Sequence, residues 1–207
     1  MSQLSADRKA GVFTFTTSRL VTAAVLVALT IVIAPIPFVG FFPVPNATGA
    51  ATTEHIPTIL GSVLAGPLVG MITGLLFGLI SFVASPLPFL KDPLVSVLPR
   101  MLIGLTPWLV YTAVMYAPFG GARAVQRDVA AGVAGLVGSL TNSVLVLGFA
   151  VLRGYFPAAI FLLSLPQIVA EAIAATVVTI IVARAVYITR NQIRRAPERK
   201  QRDQLPY

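Results

Sequence analysis

The sequence predicts an all-α integral membrane protein of six transmembrane helices with both termini on the cytoplasmic side. Three observations predict it. Of the 207 residues, 57% are hydrophobic and only 11% are charged, whereas soluble domains carry about 25% charged residues. Long apolar runs recur along the chain, several of them reaching the roughly 20 residues a helix needs to cross a hydrocarbon core. The lysines and arginines fall mainly between those runs and in the C-terminal tail.

The first apolar run, about 19–34, reads as a retained span. The segment before it, "MSQLSADRKAGVFTFTTSRL", lacks the short apolar core and small-residue cleavage site of a removable signal. Residues 55–84 form an apolar stretch interrupted at "AGPLVG". Proline disfavours helix at the residue before it, so Gly66-Pro67 predicts two helices, 55–65 and 67–84, joined by a tight turn. The first is too short to span alone. Further spans are expected at 94–116, 127–151 and 162–189, giving a single membrane domain over 1–190 and a basic cytoplasmic tail over 191–207.

Orientation follows the distribution of lysine and arginine. With the N-terminus inside, the inner segments hold Arg8, Lys9, Arg19, Arg123, Arg127, Arg184, Arg190, Arg194, Arg195, Arg199, Lys200 and Arg202, twelve of the fifteen basic residues. Lys91, Arg100 and Arg153 fall outside. The tail "RNQIRRAPERKQRDQ" then lies against the membrane surface, where anionic lipid rather than nucleic acid is the expected partner.

The outer loops share an uncommon composition. Loop 1, "PIPFVGFFPVPNATGAATTE", has four prolines and three phenylalanines; loop 3, "SPLPFLKDP", has three prolines; loop 5 is "RGYFPAA". Proline lowers the entropy cost of ordering and the aromatic rings supply apolar bodies. Loops 1, 3 and 5 are therefore expected to form a lid at one membrane face, against the plainer reading that they only connect helices.

Polar groups within a bilayer are costly and mark candidate sites. Arg100, near the outer end of the fourth span, suits a ligand carboxylate; the competing readings are an ion pair with Asp92 or Glu54, or snorkelling to headgroups. Asn142, mid-way along the fifth span, offers a donor and an acceptor to a polar ligand, or to a neighbouring helix. Glu171 lies near the middle of the sixth span with Gln167 one turn earlier on the same face. It needs a partner, whether a ligand hydroxyl, Arg100 or Asn142. Glu54 and His55, the chain's single histidine, stand where loop 1 enters the second helix. They belong to the rim of a pocket or to a helix start, where Thr52 or Thr53 caps and Glu54 favours the positive helix end.

Other chemistries are disfavoured. There is no cysteine, and one histidine beside one carboxylate makes a poor metal site. No GxxxxGK[ST] loop occurs, and the clustered His, Asp and Ser residues of a membrane-embedded enzyme are missing. No cofactor is expected. A channel or stand-alone secondary transporter remains an alternative, although no repeat between halves is visible. "GVAGLVGSL" in the fifth span and the Ala24-x-x-x-Ala28 pair in the first read as surfaces of close helix approach.

Together these features resemble the substrate-binding S components of energy-coupling factor (ECF) vitamin transporters over about residues 15–190. The six-span plan, the alanine pair, "ATTEHIPTILGSVLAGPLVGMITGLLFGLISFV", "DPLVSVLPRMLIGLTPWLVY", "LTNSVLVLG" and the span-six glutamate carry the resemblance. "ATTEHIPTILG" and "LPRMLIG" are most similar to the pantothenate-type members. The resemblance implies a multi-pass protein of the bacterial cytoplasmic membrane that binds a vitamin under loops 1, 3 and 5. It also implies assembly with a membrane scaffold (T component) and two ATPases, so that ATP hydrolysis lies in other subunits and this chain is no enzyme. Ala24 and Ala28 match the scaffold-docking motif, and Arg100, Asn142 and Glu171 match pocket-side positions. Riboflavin, folate, pyridoxine or a thiamin precursor stand as alternatives to pantothenate.

Overall fold

In the computed structural model the described residues are 14, 16–34, 36, 40–43 and 50–202. The inner basic residues Arg8 and Lys9, the loop-1 residues 35, 37–39 and 44–49, and the tail residues 203–207 lie outside them, and with them most of the expected loop-1 lid.

Helix α1 (Thr17–Ile33) begins where the side chain of Thr16 accepts the backbone N–H of Arg19 at 3.4 Å. Ala23, Leu26 and Thr30, spaced at three and four residues, turn inward. The opposite face, with Leu20, Val21, Val25 and Leu29, is exposed. At 17 residues α1 is roughly 26 Å long, shorter than the span expected from 19–34 and its flanks, because Pro35 and Pro37 follow it and cannot donate to a continuing helix.

The ends of loop 1 add the one pair of β-strands among the described residues. Strand β1 (Phe41–Pro43) pairs antiparallel with β2 (Ala50–Thr52), Phe41 opposite Thr52 and Pro43 opposite Ala50. The chain is thus helical with a small hairpin at one end.

Helices α2 (His55–Ala65) and α3 (Pro67–Ala84) flank the expected break. Gly66 takes φ 100°, a backbone region that glycine enters at little cost, and Pro67 opens α3 where no N–H is needed. Residues His55 to Val63 of α2 are all buried. An apolar helix buried on every side belongs at the centre of a bundle, and α2 packs against α1, α3, α6 and α8. Its shortness is therefore accommodated by burial among longer helices.

After a 3-10 turn (Pro88–Lys91), the expected fourth span is two helices, α4 (Pro93–Ile103) and α5 (Thr106–Tyr116). Pro107 cannot donate to the carbonyl four residues earlier. Gly104 and Leu105 instead donate to Met101 and Leu102 in tighter bonds, and the Ser62 hydroxyl donates to the Gly104 carbonyl at 2.7 Å. A hydroxyl from a neighbouring helix thus satisfies a carbonyl freed at the break.

Helices α6 (Arg123–Leu152), α7 (Ile160–Leu163) and α8 (Leu165–Arg202) complete the chain. No break occurs at residue 190: α8 carries the start of the basic tail as continuous helix. Gly135 of α6 sits where an added Cβ would lie 2.8 Å from the Ala175 carbonyl oxygen of α8, so the glycines of "GVAGLVGSL" do serve close approach. Four helical stretches are long and apolar enough to cross a membrane, Pro67–Ala84, Pro93–Tyr116, Arg123–Leu152 and Leu165–Ile193; α1 and α2 are shorter. Leu136, Val144, Ile173 and Ile181 stand exposed while Thr58, Ser62, Thr73, Ser139 and Thr179 are buried. Exposed aliphatics around interior hydroxyls suit lipid as the outer solvent.

Candidate binding site

A cleft lies between the 3-10 turn, α4, α6 and the start of α8, closed on one side by Thr52 of the hairpin. It holds about 520 Å³ of empty space, part of it continuous with its mouth. Leu87, Phe89, Leu90, Val146, Leu147 and Ile168 make its apolar wall, and Arg100, Asn142, Ser143, Gln167 and Glu171 bring polar groups to it. A mostly apolar cavity with a few converging polar groups is the usual form of a small-molecule site.

Arg100 is built in from its helix start. Asp92 caps α4 by accepting the Leu94 N–H at 2.9 Å, and two turns later the Arg100 side chain is 3% exposed. Its Nη1 donates to the Val95 carbonyl at 2.8 Å, and its guanidinium lies 5.2 Å from the centroid of the Phe77 ring. Gly74 of α3 allows this approach, because a Cβ there would collide with the Arg100 carbonyl. Among the described residues Nε of Arg100 has no hydrogen-bond partner and Arg100 forms no ion pair. Glu54 and Glu171 act on it only through longer-range attraction.

The expected alternative pairing with Asp92 does not occur. Asp92 Oδ2 accepts from Arg153 Nε at 2.6 Å, with the Tyr155 hydroxyl 3.5 Å away. This ion pair ties loop 3 to loop 5, beside the edge-on contact of Phe89 with Phe156, whose centroids are 5.1 Å apart. The Arg153 hydrogen bond holds the Asp92 carboxyl below its ordinary value, and Asp92 in turn raises Arg153.

Glu171 is the most heavily bonded polar side chain of the cleft. Its Oε1 accepts the backbone N–H of Thr52 at 2.9 Å and Gln167 Nε2 at 3.0 Å, and the Ser143 hydroxyl lies 3.4 Å from Oε2. Its protein partners are thus the hairpin, α6 and its own helix rather than Arg100 or Asn142. Asn142 is 4% exposed and its Oδ1 accepts nothing. Of the six residues singled out from sequence for the pocket, Arg100, Asn142, Gln167 and Glu171 line the cleft, whereas Glu54 and its neighbour His55 do not and are buried, 0% and 1% exposed. Thr52 Oγ1 accepts the Glu54 N–H at 3.1 Å, a local turn contact; the N-cap of α2 is Glu54 itself, without a side-chain capping bond, so the capping expected of Thr52 is not what starts this helix. Ala24 and Ala28 are exposed on α1, remote from the cleft.

Sequence reasoning did not reach Thr52, Ser143 and Ser164 as cleft residues. Ser143 adjoins Asn142, which is a weak signal; the Thr52 contact is a backbone N–H, which leaves none.

The family described as "ECF transporter, substrate-specific component" matches residues 18–186. A solved structure described as "Structure and mechanism of the S component of a bacterial ECF transporter" has a similar fold, with a TM-score of 0.54 and 22% identity over 83% of this chain and 96% of that one. No curated protein matches the sequence.

Proposed function

Because this chain belongs to the family of ECF transporter substrate-specific components, we propose that the cleft beside Arg100 is the binding site for a water-soluble vitamin, with pantothenate as the ligand. The observation that carries this reading is a buried guanidinium that, among the described residues, has an unused Nε and no ion-paired carboxylate. A buried charge left unpaired is destabilising by several kcal/mol, so a ligand carboxylate arriving beside it gains strongly. Asn142 Oδ1 accepts an amide N–H or hydroxyl of the same ligand, and Gln167 borders its other side.

In this reading Glu171 holds the hairpin over the ligand, and Glu54 and His55 form the polar backing beneath Arg100. Loops 1, 3 and 5 make the lid at the outer face of a six-span bundle in the bacterial cytoplasmic membrane. The T component docks on Ala24 and Ala28, two ATPases supply the energy, and the chain topples in the membrane to deliver its ligand. The basic tail lies on the inner surface.

A second reading has its own support. Glu54 and Glu171 place two carboxylates near one guanidinium, which suits a neutral or cationic vitamin better than an anion. Mass spectrometry of small molecules that co-purify with the solubilised chain, followed by calorimetric titration of the stripped protein, separates the two. Sub-micromolar pantothenate binding supports the first reading; a neutral or cationic vitamin bound in its place overturns the role of Arg100 as a carboxylate partner.

A further inference from the structure

A second cleft lies at the other end of the bundle. It is bordered by the first turns of α1, the last turn of α2, α5 and Arg190 of α8, and contains about 800 Å³ of empty space continuous with its opening. Glu171 and Arg190 are 19 residues apart on α8, which separates the two clefts by roughly 28 Å along that helix.

We propose that this cleft binds the phosphate headgroup of an anionic membrane lipid. Among the described residues Arg19 and Arg190 line it, together with Ser18, Thr22, Trp108 and Tyr111, and no acidic residue does; Arg19 Nη1 also donates to the Thr14 carbonyl at 2.8 Å. Asp128 of α6 is paired with Arg184 of α8 at 3.6 Å, and Arg127 lies over the Tyr187 ring, 5.1 Å from its centroid. Positive charge therefore dominates this end.

The hydroxyl inventory also points to an acceptor. Tyr111 and Tyr187 share one contact of 2.6 Å between their oxygens. That contact uses one of two hydroxyl hydrogens. Where Tyr187 is the donor, the hydrogen of Tyr111, the one of the pair that lines the cleft, is left for an acceptor such as a phosphate oxygen.

An amphiphile fits better than a free ion. Leu20 and Val21, between the lining residues Arg19 and Thr22, and Ile188, two residues before Arg190, stand exposed, where acyl chains would run. Trp108, the chain's single tryptophan, is the kind of ring that settles at headgroup depth. Residues 1–13 of the chain are an unsuitable occupant, since Arg8 and Lys9 outnumber Asp7. The cleft shares Arg190 with the start of the basic tail and adds α1, α2 and α5 to it, and it stands whether or not the vitamin reading holds.

Trp108 provides a test in the unmodified full chain. Brominated phosphatidylglycerol should quench its fluorescence saturably, and at a lower mole fraction than brominated phosphatidylcholine; equal quenching by both overturns the proposal. Native mass spectrometry of the delipidated chain titrated with phosphatidylglycerol gives the second arm. R19Q and R190Q should each weaken retention about five-fold, while R19K/R190K keeps it. Unchanged retention in R19Q/R190Q overturns the site. Displacement of the lipid by inorganic phosphate at equal concentration also overturns it, by making the site one for a soluble anion.

Discussion

The backbone N–H of Thr52 donates to Oε1 of Glu171 at 2.9 Å, across 119 residues of sequence. This bond links the last residue of the hairpin to the middle of the wall that Asn142 and Gln167 also line. A buried N–H deprived of its acceptor costs about 1–3 kcal/mol. Glu171→Ala should therefore loosen the hairpin and weaken ligand binding about ten-fold or more, measured by calorimetry. Glu171→Gln keeps an oxygen acceptor and should lose much less. Equal losses in the two variants would mean that the ionised carboxylate contacts ligand, which would overturn its holding role.

Arg100 tests the ligand's charge. With a carboxylate ligand, Arg100→Gln should lower affinity by about 2–5 kcal/mol, the range for truncating one partner of a buried charge pair. Arg100→Lys keeps the charge but loses the planar fork and should recover only part of it. A neutral or cationic ligand reverses the expectation: removing Arg100 would then leave affinity unchanged or raise it. The same titration series decides between the two readings.

The break at Gly66-Pro67 was legible because its cause is local: one residue needs positive φ and the next lacks an N–H. The break at Gly104 was not. Pro107 was visible, but a proline within a span is tolerated or disruptive according to who accepts or donates at the freed groups, and here the donor is Ser62, 42 residues earlier. Arg100, Asn142 and Glu171 could be singled out because charge and amide are expensive in a bilayer. Which of them would be left with unused groups depended on partners such as Thr52 and Ser143, whose contributions are a backbone N–H and one hydroxyl. Glu54 and His55 had the right residue types for a rim, yet the tight start of α2 buries both, and neither lines the cleft.

Gly74 holds α3 against α4 at the level of Arg100. Gly74→Ala places a methyl group against the Arg100 carbonyl, and overpacking of this kind costs about 1–3 kcal/mol. The variant should unfold at a lower temperature in detergent and bind ligand more weakly, since the displaced segment carries Arg100. Unaltered affinity would show that α4 shifts without moving its side chain.

The Asp92–Arg153 pair gives the loops a pH dependence whose sign is fixed. The Asp92 carboxyl is held below its ordinary value of 3.8 in the folded chain. Its contribution to stability is therefore complete above that value and is lost as pH falls through the lower folded value. Thermal unfolding followed from pH 7 to pH 3 should show a loss in the wild type at the acid end that Asp92→Asn lacks. The difference between wild type and variant should be constant above about pH 5, because the native and unfolded carboxyls are both ionised there.

Ala24 and Ala28 lie four residues apart on the exposed face of α1, where small side chains let another helix approach closely. That face is remote from Arg100 and Asn142, so docking and ligand binding should separate cleanly. Ala24→Trp and Ala28→Trp should abolish uptake in cells that supply the scaffold and ATPases, by blocking helix contact. The purified variants should bind the vitamin with wild-type affinity. Intact uptake would remove α1 as the docking surface, whereas a matching loss of affinity would mean that the substitutions disturb the bundle through Leu26 and Thr30, which pack on the other side of the same helix.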